Sequence, residues 1–232
     1  MKKFFGIKSD NFIILDGEEL KHLAVLRCQI NEQILCFVGD KFEYLCEIKE
    51  ITKKQAKCLI LEENECSANP TKNIVLFQGL PKQDKLELIT QKLTELGISK
   101  IIPFESSYTI AKPNQHKIER MVRISQEACK QCGRSIPLVV EPPIKFSKML
   151  DLLNYYDIVL FANETNKQIT DINFEHFQNI AIIVGSEGGF SAEEIQKLID
   201  KNVTQIGLGQ RILRTETASI ILGGLVSYLT KN

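Results

Sequence analysis

The chain has 232 residues, more than one typical domain, so we expect two modest domains. Its 29 basic residues balance its 29 acidic residues, which excludes a nucleic-acid binder that relies on overall positive charge. Hydrophobic residues make up 44% and charged residues 25% of the chain, proportions typical of globular proteins. Any affinity for RNA must therefore come from local basic patches.

The sequence shows no sign of a membrane span or an export signal. Its longest apolar runs, such as 157–162 and 180–184, have the length of strands and are too short to cross a bilayer. The N-terminus carries charge but lacks the apolar stretch of a signal peptide. Seven scattered cysteines, an odd number, suit a reducing compartment better than a disulfide framework. We expect a cytoplasmic protein without membrane contacts.

Residues 1–70 are predicted to form a small β-barrel. The apolar run 34–38 and the alternating run 42–48 flank Gly39-Asp40, and such a pair between strands predicts a hairpin. A third run follows at 56–61. Several short antiparallel strands in so few residues favour a barrel.

The polar segment 62–72, which contains Pro70, predicts a domain boundary, and strands then alternate with helices. Apolar runs predict strands at 74–77, 98–104, 138–140, 158–162, 180–184 and 203–208. Helical spacing of apolar residues predicts helices at 83–96, 116–132, 192–201 and 218–229. This alternation favours an α/β domain with a parallel sheet over residues 73–232.

Cys129 and Cys132 have the C-x-x-C spacing of some metal and redox sites. A zinc site would need a second pair or nearby histidines, and His116 is the only close candidate. Both cysteines fall on the apolar face of a predicted helix. We therefore expect core packing and no metal, with metal or redox chemistry as the alternative.

The glycine loop, residues 185–190, follows a predicted buried strand and precedes a helix opened by a capping box of Ser191 and Glu194. Adjacent glycines let the backbone adopt positive φ and approach a ligand closely. Ligands of open α/β sheets bind at such strand ends and helix N-termini. A tight turn without a ligand is an equally good interpretation. The loop does not match G-x-G-x-x-G, which disfavours a nicotinamide cofactor.

The arginine loop, residues 208–214, leads from the last predicted strand into a nearly all-apolar helix. Thr215 or Thr217 could cap this helix, and Glu216 suits its first turn. Capping does not explain Arg211 and Arg214, because positive charge is unfavourable at a helix N-terminus. Such a breach of a local rule predicts a functional site. The alternative is a structural ion pair between Arg214 and Glu216.

Segments 185–190 and 208–218 resemble the signature of the 16S ribosomal RNA uridine-N3 methyltransferase family, in the SPOUT superfamily of knotted methyltransferases. The resemblance covers essentially the whole chain and includes segments 22–27, 82–87, 92–97 and 127–134. Two positions depart from the family pattern: Ser186 stands where proline is usual, and Gln83 where glycine is common. Neither departure removes a side chain assigned to catalysis, so they bear on loop rigidity.

The resemblance implies a PUA-like RNA-binding β-barrel over residues 1–70 and a SPOUT α/β domain over 73–232 with a C-terminal trefoil knot. Knots are almost absent from proteins, so the knot is implied by the resemblance alone. It also implies S-adenosyl-L-methionine as cofactor, a homodimer, and 16S rRNA or the 30S subunit as partner.

The residue roles follow from the same resemblance. Arg214 would stabilise the anion that develops on the uridine, and Glu216 would orient it or the base. The expected cofactor-binding residues are Leu160, Phe161, Glu164, Gly185, Glu187, Gly188, Gly189, Leu208, Gly209, Ile212, Leu213, Thr217 and Ala218. The expected RNA-binding residues are Lys3, His22, Arg27, Lys82, Lys85 and Arg134. As alternatives, His22 would be a structural histidine, and Arg27 would pair with Glu18 or Glu19.

Three other functions compete with this interpretation. An enzyme of the same fold would act on another RNA such as transfer RNA, and a non-catalytic relative would serve in ribosome assembly. The intact Arg-Thr-Glu-Thr-Ala segment at 214–218 argues against the second of these. A nucleotide-dependent oxidoreductase would bind a nicotinamide cofactor, which the glycine loop does not favour.

Overall fold

The computed structural model describes residues 1–82, 84–110, 115–163, 165 and 169–232. They form two compact units. The first combines Met1–Asn69 with Cys129–Pro137, and the second combines Pro70–Ala128 with Leu138–Asn232. Nothing in the sequence predicted that residues 129–137 would pack with the first unit. In the described part of the chain, no helix has the length and apolar character needed to cross a membrane.

The first unit is built on a six-stranded sheet with one helix, α1 (Gly17–Val25). Its strands are β1 (Lys3–Phe5), β2 (Ile7–Ser9), β3 (Phe12–Asp16), β4 (Gln33–Phe37), β5 (Phe42–Ile51) and β6 (Gln55–Glu65). They lie in the order β1-β4-β5-β6-β3-β2, and only the β1–β4 pair is parallel. The predicted hairpin is confirmed, because β4 and β5 pair antiparallel with Cys36 opposite Tyr44.

Strands β1 and β2 were not predicted, because three residues are too few to show an alternating pattern. Helix α1 was also missed. The strands of this sheet share a core with Leu23 of α1, and that core includes Phe4, Ile13, Ile34 and Tyr44.

The second unit contains a seven-stranded sheet in which every described pairing is parallel, which confirms the predicted α/β class. Its strands are β7 (Asn73–Gly79), β8 (Lys100–Glu105), β9 (Val139–Val140), β10 (Ile144–Lys145), β11 (Ile158–Ala162), β12 (Asn179–Val184) and β13 (Thr204–Ile206). Their order is β10-β8-β7-β12-β11-β13, with β9 also paired to β8.

The helices are α2 (Lys85–Glu95), α3 (Gln115–Cys132), α4 (Phe146–Leu152), α5 (Ala192–Asp200) and α6 (Thr215–Thr230), with two short 3-10 helices at Leu153–Tyr155 and Ile169–Asp171. The last four residues of α3 belong to the first unit. The predicted capping box of α5 is confirmed: the Ser191 side chain accepts from the Glu194 N–H and the Glu194 side chain from the Ser191 N–H.

Successive side chains of the parallel strands enter two different helical layers. Ile74 and Leu76 of β7 share a core with residues of α2 and α6, whereas Val75 and Phe77 share one with residues of α4 and α5. Because the strands are parallel, the chain segments that leave β11, β12 and β13 all emerge at one edge of the sheet. The glycine loop and the arginine loop therefore meet there.

Candidate active site

The glycine loop lies directly against the end of β7. Gly189 has a φ of +66°, and its N–H donates to the Ser186 carbonyl at 3.0 Å, which closes the loop into a tight turn. A Cβ at Gly79 would stand 2.4 Å from the Ser186 nitrogen. A glycine at position 79 is thus what allows the loop to approach the strand this closely.

A fully buried glutamine, Gln78, joins β7 to the loop and to α6. Its Nε2 donates to Thr215 Oγ1 at 2.9 Å, and its Oε1 accepts from Ser219 Oγ. The Thr215 hydroxyl in turn donates to the Gly185 carbonyl. The prediction that Thr215 or Thr217 caps the helix is wrong. Thr215 is the first residue of α6, and the N-cap residue Arg214 makes no side-chain capping bond. The Thr215 hydroxyl instead bonds to the glycine loop.

At its far end the glycine loop is held by aromatic packing. The Phe190 ring meets the Phe161 ring edge-on at 4.9 Å and stacks on the Phe104 ring at 6.0 Å. Phe161 was expected to bind cofactor, but strand alternation turns it into this buried layer. Leu160 is fully buried in the opposite layer, so both side chains belong to the core.

The arginine loop differs from the glycine loop in its exposure. Arg211 and Arg214 are exposed, the Ile212 side chain is 84% exposed, and Gly209 has a φ of +103°. The alternative Arg214–Glu216 ion pair does not form between these two described residues. Glu216 instead lies 3.2 Å from the ammonium of Lys85.

The two loops enclose a cavity of about 770 Å³ at the sheet edge. Nine of the expected cofactor-binding residues line it: Gly185, Glu187, Gly188, Gly189, Leu208, Gly209, Ile212, Leu213 and Ala218. Thr217 is not among the lining residues, and Glu164 lies outside the described residues. Instead of Leu160 and Phe161, the residues Ala162 and Asn163 at the end of β11 reach the cavity.

Lys85, expected to bind RNA, lines this cavity between two carboxylates. Its Nζ lies 2.8 Å from Glu187 Oε1 and 3.2 Å from Glu216 Oε2. The bond to Glu187 raises the pKa of Lys85. Burial raises the pKa of Glu187, but Lys85 and backbone N–H groups outweigh it and hold that pKa below its ordinary value. Lys85 lies more than 100 positions from both glutamates in the sequence, so no local sequence pattern could predict these contacts.

The other expected RNA-binding residues fall into different environments. Arg27 and Lys82 are exposed, and Lys3 is half-buried. Glu19, which Arg27 could have paired with, binds Lys130 at 2.7 Å, and Glu18 binds Lys21 at 2.7 Å. The two glutamates thus bind lysines, and the Arg27 side chain stays at the surface.

His22 and Arg134 have structural surroundings in the first unit. The His22 ring packs on Phe4 at 5.3 Å, and its Nδ1 lies 3.4 Å from the Lys130 ammonium, as the structural alternative predicted. Arg134 is only 1% exposed, and its Nε donates to the Ile136 carbonyl. Burial also lowers the pKa of Arg134. A phosphate contact needs an accessible guanidinium, so we withdraw Arg134 from the RNA-binding set.

Cys129 of the C-x-x-C pair is fully buried and packs with Phe5 and Phe37. Among the residues that the structure describes, no group of three histidine, cysteine or acidic residues is arranged to hold a metal ion. The packing of Cys129 supports the core interpretation of this pair.

Comparison with known proteins identifies the family. A family profile described as "RNA methyltransferase domain" matches residues 67–227, and one described as "RNA methyltransferase PUA domain" matches residues 15–61. The chain is 34% identical to ribosomal RNA small subunit methyltransferase E of Bacillus subtilis, over 94% of this chain and 90% of that protein. The chain belongs to the ribosomal RNA small subunit methyltransferase E family. It is an RNA methyltransferase with a PUA-type N-terminal module.

Solved structures agree with this assignment. The Neisseria gonorrhoeae ribosomal RNA small subunit methyltransferase E bound to S-adenosyl methionine superposes with a TM-score of 0.90, at 28% identity over 99% of this chain and 98% of that one. A Legionella pneumophila putative methyltransferase in complex with the same cofactor gives a TM-score of 0.88, at 27% identity over 98% and 97%. The enzyme thus shares its whole fold with methyltransferases that have been solved with cofactor bound.

Proposed function

We propose that this enzyme transfers a methyl group from S-adenosyl-L-methionine to N3 of a uridine in 16S ribosomal RNA. The observation that carries the proposal is the cavity between the glycine and arginine loops, in a chain whose relatives are named as small-subunit rRNA methyltransferases. Two solved relatives carry this cofactor. Because the proposed substrate is ribosomal RNA, the cytoplasm is the proposed location of the reaction. The trefoil knot of the superfamily is part of the same proposal.

The cavity has the properties that such a cofactor requires. Its volume of about 770 Å³ lies within the range of small-molecule sites. Ile212, Leu213 and Ala218 supply apolar surface for an adenine ring. At Gly189 and Gly209 the space that a Cβ would enter is open, so a ligand can approach the main chain closely at both positions.

When bound, S-adenosyl-L-methionine supplies a methyl group on a positively charged sulfur. Methylation at N3 would also require that the N3 proton passes to a base. Negative charge develops on the uracil O2 and O4 during this step. Arg214 is exposed on the cavity wall and cannot act as a base, so its role is to stabilise that charge.

Glu216 acts through Lys85 in this proposal. The Glu216 side chain is 15% exposed, and it holds the Lys85 ammonium at the cavity wall together with Glu187. The two carboxylates thereby hold the Lys85 ammonium, a second cation in addition to Arg214, close to the proposed site of methyl transfer. Lys3, Arg27 and Lys82 remain the proposed RNA contacts.

A homodimer completes the proposal. Ile221, Leu225 and Tyr228 of α6 are 40%, 37% and 82% exposed. Their spacing of four and three residues places them on one face of the helix. A second copy of the chain would cover this apolar face, and analytical ultracentrifugation of Tyr228→Glu against wild type tests this arrangement.

The decisive experiment is transfer of tritiated methyl groups to unmodified 30S subunits, naked 16S rRNA and transfer RNA, followed by mass mapping of the modified nucleotide. We expect N3-methyluridine in the 16S sequence and none in transfer RNA. Methylation of transfer RNA alone would favour the competing substrate. If calorimetry showed no binding of S-adenosyl-L-methionine, a non-catalytic assembly role would replace the proposal.

A further inference from the structure

A second cleft, which we call the Tyr108 cleft, adjoins the cofactor cavity. It has a volume of about 580 Å³ and lies between the glycine loop and the residues that follow β8. Its walls include Leu80, Lys82 and Tyr108, and it shares Ser186, Glu187 and Gly188 with the cofactor cavity. The two sites therefore adjoin along the glycine loop.

The turn that carries Tyr108 is fixed in place by buried polar groups. The Ser107 N–H donates to Glu194 Oε1 at 2.8 Å, and Glu194 is only 5% exposed. The Ser106 N–H donates to Thr109 Oγ1 at 2.8 Å. The same Glu194 carboxylate closes the capping box of α5, so one side chain sets both the helix start and this turn.

Tyr108 rests on the glycine loop and yet shows much of its surface to solvent. A Cβ on Gly188 would stand 2.7 Å from the Tyr108 Cβ, so the glycine is what lets the tyrosine approach. The Tyr108 side chain is nevertheless 53% exposed. An aromatic ring whose Cβ is packed against the protein and whose surface is largely exposed is one on which a nucleobase can stack.

Ser186 adds an unsatisfied polar group at the boundary of the two sites. Its hydroxyl oxygen is buried and, among the described residues, has no hydrogen-bond partner. An unpaired buried hydroxyl is costly, and a ligand that bonds to it recovers that cost. A hydroxyl can both donate and accept, which matches the alternating carbonyl and N–H groups on the edge of uracil.

We propose that the Tyr108 cleft holds the target base, turned out of the RNA strand, with its ring stacked on Tyr108 and its edge bonded to the Ser186 hydroxyl. The inference rests on the proposed function and names the site that presents the base to the methyl group. Enzymes that modify a base extrude it into such a pocket. The exposed Lys82 at the mouth of the cleft meets the phosphate beside the extruded nucleotide.

The test compares Tyr108→Ala, Tyr108→Phe and Ser186→Ala with wild type in methyl transfer to unmodified 16S rRNA at saturating cofactor. Tyr108→Ala should lower kcat/KM for RNA roughly 10- to 100-fold, the scale of a lost stacking contact. Tyr108→Phe should retain most activity, and Ser186→Ala should lose about 3- to 10-fold. Tyr155→Ala is the matched control, because Tyr155 is 78% exposed before the start of β11, at the other end of the sheet.

Two further measurements separate this inference from its alternatives. Calorimetry should give an unchanged cofactor Kd for Tyr108→Ala, and an equal loss of cofactor affinity would make Tyr108 a support of the glycine loop instead. Photo-crosslinking of 16S rRNA that carries 4-thiouridine should label the peptide containing Tyr108 in wild type. This label needs no turnover, so it tests the cleft even if wild type proves inactive and the proposed function fails. Crosslinking of wild type that leaves the peptide containing Tyr108 unlabelled would overturn the inference.

Discussion

The glycine loop and the arginine loop line one cavity but are held in opposite ways. The glycine loop packs on Gly79, receives the Thr215 hydroxyl at Gly185 and anchors Phe190 among other aromatic rings. The arginine loop exposes both of its arginines and 84% of Ile212. The glycine loop is thus anchored to the core, whereas the arginine loop exposes the side chains of Arg211, Ile212 and Arg214 to a ligand.

This difference predicts which property each loop controls. Residues that hold the glycine loop make buried contacts, and a substitution would remove them. Their replacement should therefore lower the free energy of unfolding. Residues 209–212 and Arg214 of the arginine loop are exposed, and exposed substitutions usually change stability by less than about 0.5 kcal/mol. Their replacement should instead affect ligand binding or the rate of transfer.

The largest effect is expected at Arg214. Arg214→Ala should slow methyl transfer roughly 10- to 1000-fold, the scale of about 1.5–4 kcal/mol of lost charge stabilisation. Unfolding should be nearly unchanged, because a cation at the start of α6 opposes the helix dipole. Single-turnover transfer at saturating RNA and cofactor, beside a melting curve, measures both quantities.

Arg214→Lys is the matched variant for this prediction. It should rescue the rate only in part, because a point charge cannot reproduce the planar fork of the guanidinium. A large loss of stability with an unchanged rate would make Arg214 a structural residue and reverse the contrast between the loops.

At Gln78 the contrast predicts a loss of stability. Gln78→Met keeps the length of the side chain but removes the partners of Thr215 and Ser219. The free energy of unfolding should fall by about 1–3 kcal/mol, the cost of buried hydrogen-bonding groups that lose a partner. Denaturant unfolding measures this, with exposed Gln210→Met in the arginine loop as control. Equal stability of both variants would mean that the glycine loop does not depend on Gln78.

A smaller effect is expected at Ile212. Ile212→Ala removes a side chain that is exposed in the protein alone and that we expect the cofactor to cover. Cofactor affinity should fall by about 5- to 30-fold, which corresponds to about 1–2 kcal/mol of apolar burial. Calorimetry measures the affinity, and Ile30→Ala, at a 54% exposed position of the first unit, is the control. Unchanged affinity would remove Ile212 from the adenine site.

Local patterns in the sequence predicted the elements that frame the site. The apolar run of β12 and the capping box of α5 appear where expected, because both depend on neighbouring residues. The partners of Lys85 and the buried Gln78 could not be predicted. They depend on the order of strands in the sheet, which brings residues more than 100 positions apart into contact. For the same reason, the sequence did not predict that residues 129–137 pack with the first unit.

The smallest effect concerns pH and the ion pair that joins Lys85 to the glycine loop. The pKa of Glu187 is lowered in the folded protein, so its stabilising contribution is present above the ordinary pKa of a glutamate and is lost as pH falls through the lowered value. The pKa of Lys85 is raised, so its contribution is present below the ordinary lysine pKa and is lost as pH rises through the raised value. Between these limits the pair should contribute a constant amount.

Melting curves of wild type and Glu187→Gln across this range test that expectation. The difference between the two proteins should be flat near neutral pH and should shrink only in acid, as Glu187 becomes protonated, and in strong base, as Lys85 loses its proton. Glu193→Gln is a suitable control, since Glu193 forms an exposed ion pair with Lys197 within α5. Because Glu187 and Lys85 are both partly exposed, salt should reduce the difference without removing it. A difference that vanishes at neutral pH would show that Lys85 does not hold the glycine loop, and the loop would then depend on its buried contacts alone.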